Sequence, residues 1–202
     1  MFARSRLNAR GNIGLSAAPI AVRLTLNMLH NAYIPIIGFA AYSGTGKTTL
    51  LLRLMPLLEA QGLRIGVVKH AHHEFEVDQQ GKDSYELRMA GASQMLIASR
   101  KRWALMVERE LDSEPRLDDV LLDLEQGSLD LILVEGFKRE QFPKIELHRG
   151  ALRTPMLYQS DPNIVAVASD CELPDLHALP RLDLNRPEQI ATYVVEEIVG
   201  RG

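Results

Sequence analysis

Ala41–Thr49 reads AYSGTGKTT. An apolar run of small and branched residues, Ile34–Ala41, precedes it, and a leucine-rich segment, Lys47–Glu59, follows. The run has no charged side chain, which suits a strand covered on both faces of a sheet. Leu50, Leu51, Leu54, Leu57 and Leu58 recur at helical spacing, so strand, glycine turn and helix follow one another. In that setting a glycine loop binds phosphate. Small residues at Ser43, Gly44 and Gly46 let several N–H groups curl inward, and the helix start adds a partial positive charge. Lys47 then reaches the β- and γ-phosphates and the Thr48 hydroxyl ligates Mg²⁺. The candidate nucleotide contacts are Ser43, Gly44, Thr45, Gly46, Lys47, Thr48 and Thr49. The general pattern G-x-x-x-x-G-K-[ST] has Ala41 at its first glycine. Alanine is the smallest substitute, and it serves if its φ stays negative.

Outward from this loop the chain continues as an α/β sequence. Arg64–His70, Leu129–Val134 and Ile164–Ala168 read as buried strands. Asp83–Ala90, Leu117–Gln126 and Pro187–Val199 read as helices, and Pro56 is expected to kink or shorten the first helix. Gln94–Ser99 and Trp103–Val107 read as two short strands joined by the basic turn Arg100–Arg102. Lys144–His148 alternates polar and apolar residues, which predicts a sheet-edge or hairpin strand. Strands separated by helices predict a mostly parallel central sheet covered by helices.

The 202 residues, 46% hydrophobic and 24% charged, suit one globular domain with a core. A net charge of -3 gives no general attraction to nucleic acid or to an anionic membrane, and no run of 18 apolar residues is present. One cysteine, Cys171, excludes an internal disulfide framework, and it reads as a small hydrophobe. No acid precedes Glu59, and Arg4, Arg6, Arg10 and Arg23 lie among small and polar residues. Residues 1–33 therefore read as an extension, dispensable, family-specific or targeting, and residues 34–202 as the nucleotide-binding domain. A cytoplasmic location is the default.

Three further places carry candidate chemistry. Glu135 ends the apolar run Leu129–Val134, where a carboxylate holds Mg²⁺ through water or orients a water molecule. Lys47 and Glu135 are thus the candidate catalytic pair. The loop Lys69–Asp78, KHAHHEFEVD, has three open readings. Lys69, His70 and Asp78 approach phosphate and Mg²⁺; or His70, His72 and His73 bind a transition metal; or the loop is surface polarity alone. Lys82 and Asp83 open the next helix, facing a ligand or capping the helix. Asp170, just past Ile164–Ala168, can accept the N1 and N2 hydrogens of guanine, which adenine lacks.

With these residues in place, the sequence resembles the MobB family of molybdopterin-guanine dinucleotide biosynthesis adaptors. The matching pieces are Phe39–Thr49, Val68–Asp78, Gly81–Ala92, Arg102–Met106, Asp130–Lys138, Lys144–Glu146 and Val165–Asp170, spread over most of Ile34–Val199. The resemblance implies a P-loop GTP-binding homodimer with weak Mg²⁺-dependent GTPase activity. It implies an accessory role beside a partner guanylyltransferase that attaches GMP to molybdopterin, forming the guanine dinucleotide cofactor. Lys47 and Thr48 would take the phosphate and Mg²⁺ roles and Glu135 the second acidic role. Thr48, Asp78 and Glu135 are then the metal candidates, and Lys69, His70, Asp78, Lys82 and Asp83 face the site. Lys144–Glu146 would belong to a β-hairpin extension used in dimerisation. Two other readings share the loop: a small-molecule kinase, and a nucleotide-binding adaptor without hydrolysis.

Overall fold

The computed structural model describes residues 29–71, 75–109, 114–173, 176 and 179–201. The N-terminal extension up to residue 28, and His72 and His73, lie outside the described residues. Strand β1, Ile36–Ala41, is buried at every position, as its polar-free sequence requires. At its centre, a Cβ on Gly38 would come within 2.4 Å of the Phe142 ring. The glycine is therefore what lets Phe142 pack onto the strand. The chain leaves β1 through the glycine loop into helix α1, Lys47–Ala60, which buries Leu50, Leu54 and Leu58 against the sheet. Each such leucine contributes about 2 kcal/mol on burial. Pro56 does not end this helix. It sits on the exposed side with Leu52, so the carbonyl that a proline leaves without a donor faces water.

The remaining strands are β2 (Ile65–Lys69), β3 (Gln94–Ala98), β4 (Trp103–Val107), β5 (Leu131–Glu135), β6 (Lys144–His148), β7 (Ile164–Ser169) and β8 (Arg181–Asp183). Six of them form one sheet in the order β2-β5-β1-β6-β7-β8, with every pair parallel. Strands β3 and β4 form a separate antiparallel hairpin. The other helices are α2 (Asp83–Met89), α3 (Leu117–Val120) and α4 (Pro187–Tyr193), the last continuing as a π-turn over Val194–Val199. One core lies under α1 and α4, where Ile190, Val194 and Ile198 meet Leu54 and Leu58. A second lies on the other face around Ile36, Ile132, Leu117 and Phe142, and it includes Leu29. The chain is thus packed before β1 begins. Asn31 donates from its N–H to Asp118 Oδ1, and the Tyr33 N–H donates to Gln126 Oε1.

Three sequence expectations change. The helix expected over Leu117–Gln126 shortens to Leu117–Val120, followed by 3-10 turns at Leu121–Asp123 and Gln126–Ser128. The buried Gln126 amide explains this, because it donates to the carbonyls of Asn31 and Leu121 and ties the turn sideways. Strand β8, only three residues long, gave no periodic signal.

The third change is the largest. Lys144–His148 is no edge or hairpin strand: β6 lies inside the main sheet between β1 and β7, with all five residues buried. Its polar side chains are satisfied internally, which alternation cannot reveal. The Lys144 ammonium donates to the Glu140 carbonyl at 2.7 Å and to Asp161 Oδ2 at 2.9 Å. The Glu146 carboxylate accepts the N–H groups of Leu157 and Tyr158. Burial pushes the Glu146 carboxyl up, and those N–H donors oppose it. The hairpin of this protein is instead β3–β4.

Burial alone would raise the Asp161 carboxyl above the ordinary 3.8, but Lys144 and the Asn163 donors outweigh it and hold it below. A depressed folded-state value stabilises the protein above pH 3.8, and that stability is lost as pH falls further. Lys144→Met is expected to cost about 3 kcal/mol at neutral pH, measured by urea denaturation. The loss of stability between pH 5 and 3 should be smaller in the variant than in the parent.

Candidate functional site

Strand β1 is where the sheet divides, with β5 and β2 on one side and β6, β7 and β8 on the other. Ligands of open parallel sheets bind beyond the carboxyl ends of the strands at such a point. The glycine loop leaves β1 there. Gly44 and Gly46 take φ of 80° and 95°, a region other residues enter only with strain. Ala41, by contrast, is the last residue of β1 and is not among the residues of positive φ, so the missing first glycine costs nothing. The Thr45 hydroxyl donates to the Tyr42 carbonyl at 2.9 Å. That buried side chain fixes the loop from below, while Ser43 and Gly44 are exposed. The Leu50 N–H donates to the Gly46 carbonyl, so α1 starts directly at Lys47.

Register brings the acidic partner to this loop. Phe39 pairs with Glu135 and Glu135 with Lys69. The Glu135 carboxylate consequently lies between two ammonium groups, Lys47 Nζ at 3.7 Å and Lys69 Nζ at 3.5 Å. The Thr48 and Thr49 side chains lie in the exposed first turn of α1. Next to Glu135 the backbone of Gly136 takes φ 97° and Phe137 φ 49°. The His70 N–H donates to the Glu135 carbonyl at 2.8 Å. The His70 imidazole stacks near Phe137, with ring centroids 4.7 Å apart, and its Nε2 is 2.7 Å from Glu114. Oxygen donors beside a phosphate loop suit Mg²⁺, which needs few protein ligands.

The other candidates come from the segment that follows β2. Asp78 is nearly buried against Arg88 of α2, 3.5 Å from its guanidinium, and among the described residues neither of its oxygens accepts a hydrogen bond. Arg88 also binds Glu76 and Glu108, so Asp78 belongs to a cluster that joins α2 to β4. Lys82 and Asp83 are exposed at the start of α2, and neither side chain caps it. Among the described residues no group of three His, Cys, Asp or Glu side chains could hold a metal by itself.

Asp170 follows β7 on the far side of β1. Its Oδ2 accepts from Arg149 Nη1 at 3.0 Å, and its Oδ1 accepts from the Gly150 N–H at 2.9 Å. Arg149 Nε also donates to the Thr45 carbonyl at 3.1 Å. Arg149 was missed from the sequence. It directly follows Lys144–His148, and reading that segment as an interior strand would have put its next residue on the ligand edge.

A parallel six-stranded sheet with a glycine loop, lysine and threonine at its switch point defines an α/β protein with its candidate site at the carboxyl end of β1. The comparisons with known proteins narrow this. Residues 36–170 match the family MobB, molybdopterin guanine dinucleotide synthesis protein B. The chain is 50% identical over 170 residues to the molybdopterin-guanine dinucleotide biosynthesis adapter protein of Escherichia coli K12, covering 84% of this chain and 96% of that one. It is 43% identical over 164 residues to the adapter protein of Haemophilus influenzae, covering 81% and 89%. The fold is similar to a MobB homologue from Bacillus stearothermophilus, with TM-score 0.60 and 28% identity over 82% of this chain and 99% of that one. It is also similar to Bacillus subtilis MobB, with TM-score 0.62 and 26% identity over 82% and 98%. The chain belongs to the MobB family.

A Cβ on Gly136 would lie 2.6 Å from His70 Cβ, at a φ that already disfavours a side chain. Gly136→Ala is expected to destabilise by about 2 kcal/mol, read as a lowered urea midpoint. Gly127→Ala, at a position with nothing within 4 Å and no positive φ, should be close to neutral.

Proposed function

We propose that this protein is a GTP-binding adaptor in the synthesis of molybdopterin guanine dinucleotide, assisting a partner guanylyltransferase that handles molybdopterin. The observation that carries the nucleotide reading is the meeting of Gly44, Gly46, Lys47 and Glu135 at the carboxyl end of β1. The loop N–H groups and Lys47 would bind the phosphates. The Thr48 hydroxyl and, through water, Glu135 would hold Mg²⁺, which supplies charge neutralisation at the β- and γ-phosphates. With phosphate present, Lys47 and Lys69 would each exchange part of their attraction to Glu135 for phosphate oxygens. Asp170 would accept the guanine N–H groups. The relatives named as adapters support the pathway, and the weak GTPase reading fits a site with one carboxylate near the metal.

The hairpin supports a homodimer. Leu96 pairs with Leu105, Gln94 with Val107 and Ala98 with Trp103, so these six share one face. On it Leu96, Trp103, Leu105 and Val107 are all exposed. An uncovered apolar face of this kind is a site of self-association. The kinase reading loses ground, because Arg100–Arg102 form a tight turn between β3 and β4 rather than a cationic lid.

Equilibrium binding with Mg²⁺ should show GTP preferred over ATP. Lys47→Ala should weaken GTP on the order of 100-fold, because a charge-assisted contact to phosphate is lost. Absence of guanine-nucleotide binding by the parent protein would overturn the reading. Leu105→Glu should shift the protein toward monomer in sedimentation, with nucleotide affinity retained.

A further inference from the structure

Two cavities lie on the β6–β7–β8 side of the glycine loop. The smaller, about 120 Å³, is lined by Gly46, Thr49, Arg53, Arg149 and Asn185 among others. The larger, about 400 Å³, is lined by Ser169, Asp170, Arg181, Asp183, Asn185 and Arg186 among others, a volume within the roughly 300–1,000 Å³ of small-molecule clefts. Asn185 lines both. Arg149 lines the smaller one and donates to Asp170 of the larger, and its guanidinium lies 3.6 Å from the place a Cβ on Gly46 would occupy.

Arg149 does more than line a wall. The register pair His148 and Ser169 ends the β6–β7 ladder, and Arg149 and Asp170 are the next residues on each strand. Arg149 turns its Nε to the Thr45 carbonyl and its Nη1 to Asp170 Oδ2. The neighbouring Gly150 N–H takes Asp170 Oδ1. A Cβ at Gly150 would press to 2.8 Å from Cys171 Sγ, so glycine lets the chain pass close to Cys171 where that N–H meets Asp170. A planar guanidinium holds two acceptors at fixed separation and angle, which a single ammonium cannot do.

We infer that Arg149 is a positioning residue that joins the phosphate loop to the Asp170 carboxylate and so sets the selectivity for the purine base. The inference rests on the proposed GTP-binding function. The nucleoside runs from Gly46 past Arg149 and Asn185 into the larger cavity. Each Asp170 oxygen keeps a second lone pair for the base N–H groups while Arg149 and Gly150 occupy the first. With the carboxylate locked to the loop, a base missing one N–H donor leaves an acceptor unpaired and pays for it in affinity.

The test compares GTP with inosine triphosphate, which lacks only the 2-amino donor, by equilibrium titration with Mg²⁺. Parent protein, Arg149→Ala and Arg149→Lys are each checked for folding by thermal melting. The parent should prefer GTP by roughly tenfold to hundredfold. In Arg149→Ala that preference should fall to roughly threefold or less, through weaker GTP binding with little change for the inosine nucleotide. Arg149→Lys keeps the charge but not the fixed two-acceptor geometry, so its preference should likewise fall to roughly threefold or less. Equal weakening of both nucleotides in Arg149→Ala, or an unchanged ratio in either variant, overturns the inference while leaving GTP binding intact. A parent that binds neither nucleotide overturns the functional reading and this inference together.

Discussion

Every residue of β1 is buried, and this confinement decides where chemistry can occur. A strand with neighbours on both edges and cover on both faces offers the solvent only its two ends. The carboxyl end opens at Gly44 and Gly46, whose positive φ values turn the backbone back over the strand and into α1. Register does the rest. Because β1, β5 and β2 run parallel and in register, the last residues of β5 and β2, Glu135 and Lys69, arrive together beside Phe39 of β1, and Glu135 lies 3.7 and 3.5 Å from the ammonium groups of Lys47 and Lys69. The carboxylate thereby lies close to two ammonium groups that a polyanion would also attract.

The opposite half of the sheet depends on a different balance. One of its interior strands, β6, carries a lysine, a glutamate and a histidine, all buried. Such a strand is stable only because each charge finds partners: Asp161 and two carbonyls for Lys144, and two main-chain N–H groups for Glu146. This polar spine carries Arg149 to the edge of the loop, so the internal pairing of β6 and the geometry at the glycine loop are mechanically one piece.

How much of this could be read from the sequence followed the range of the interactions. The strand, loop and α1 were legible because the apolar run, the glycines and the leucine spacing are contiguous. Glu135 was legible because it ends a similar run. The alternation in Lys144–His148 misled, since alternation reports which side chains are polar and says nothing of whether they are paired inside. Arg149 was invisible for a related reason: its partners lie 104 and 21 residues away. The partner of Asp78 was not legible either, because Arg88 reaches it from α2, ten positions on. The early turn around Leu29 and Asn31 carried no periodicity, and its anchor is Asp118.

In the main sheet β5 lies directly beside β2, yet the chain between them passes through α2, the β3–β4 hairpin and α3. That hairpin contributes no rung to the six-stranded ladder. It is cargo carried on a crossover. It can therefore be trimmed, lengthened or exchanged for another element without altering any strand pairing on which the loop at Gly46 relies. The hairpin can thus drift as such chains diverge while the strand pairing beneath the glycine loop stays fixed, and a protein engineer could regraft one while keeping the other.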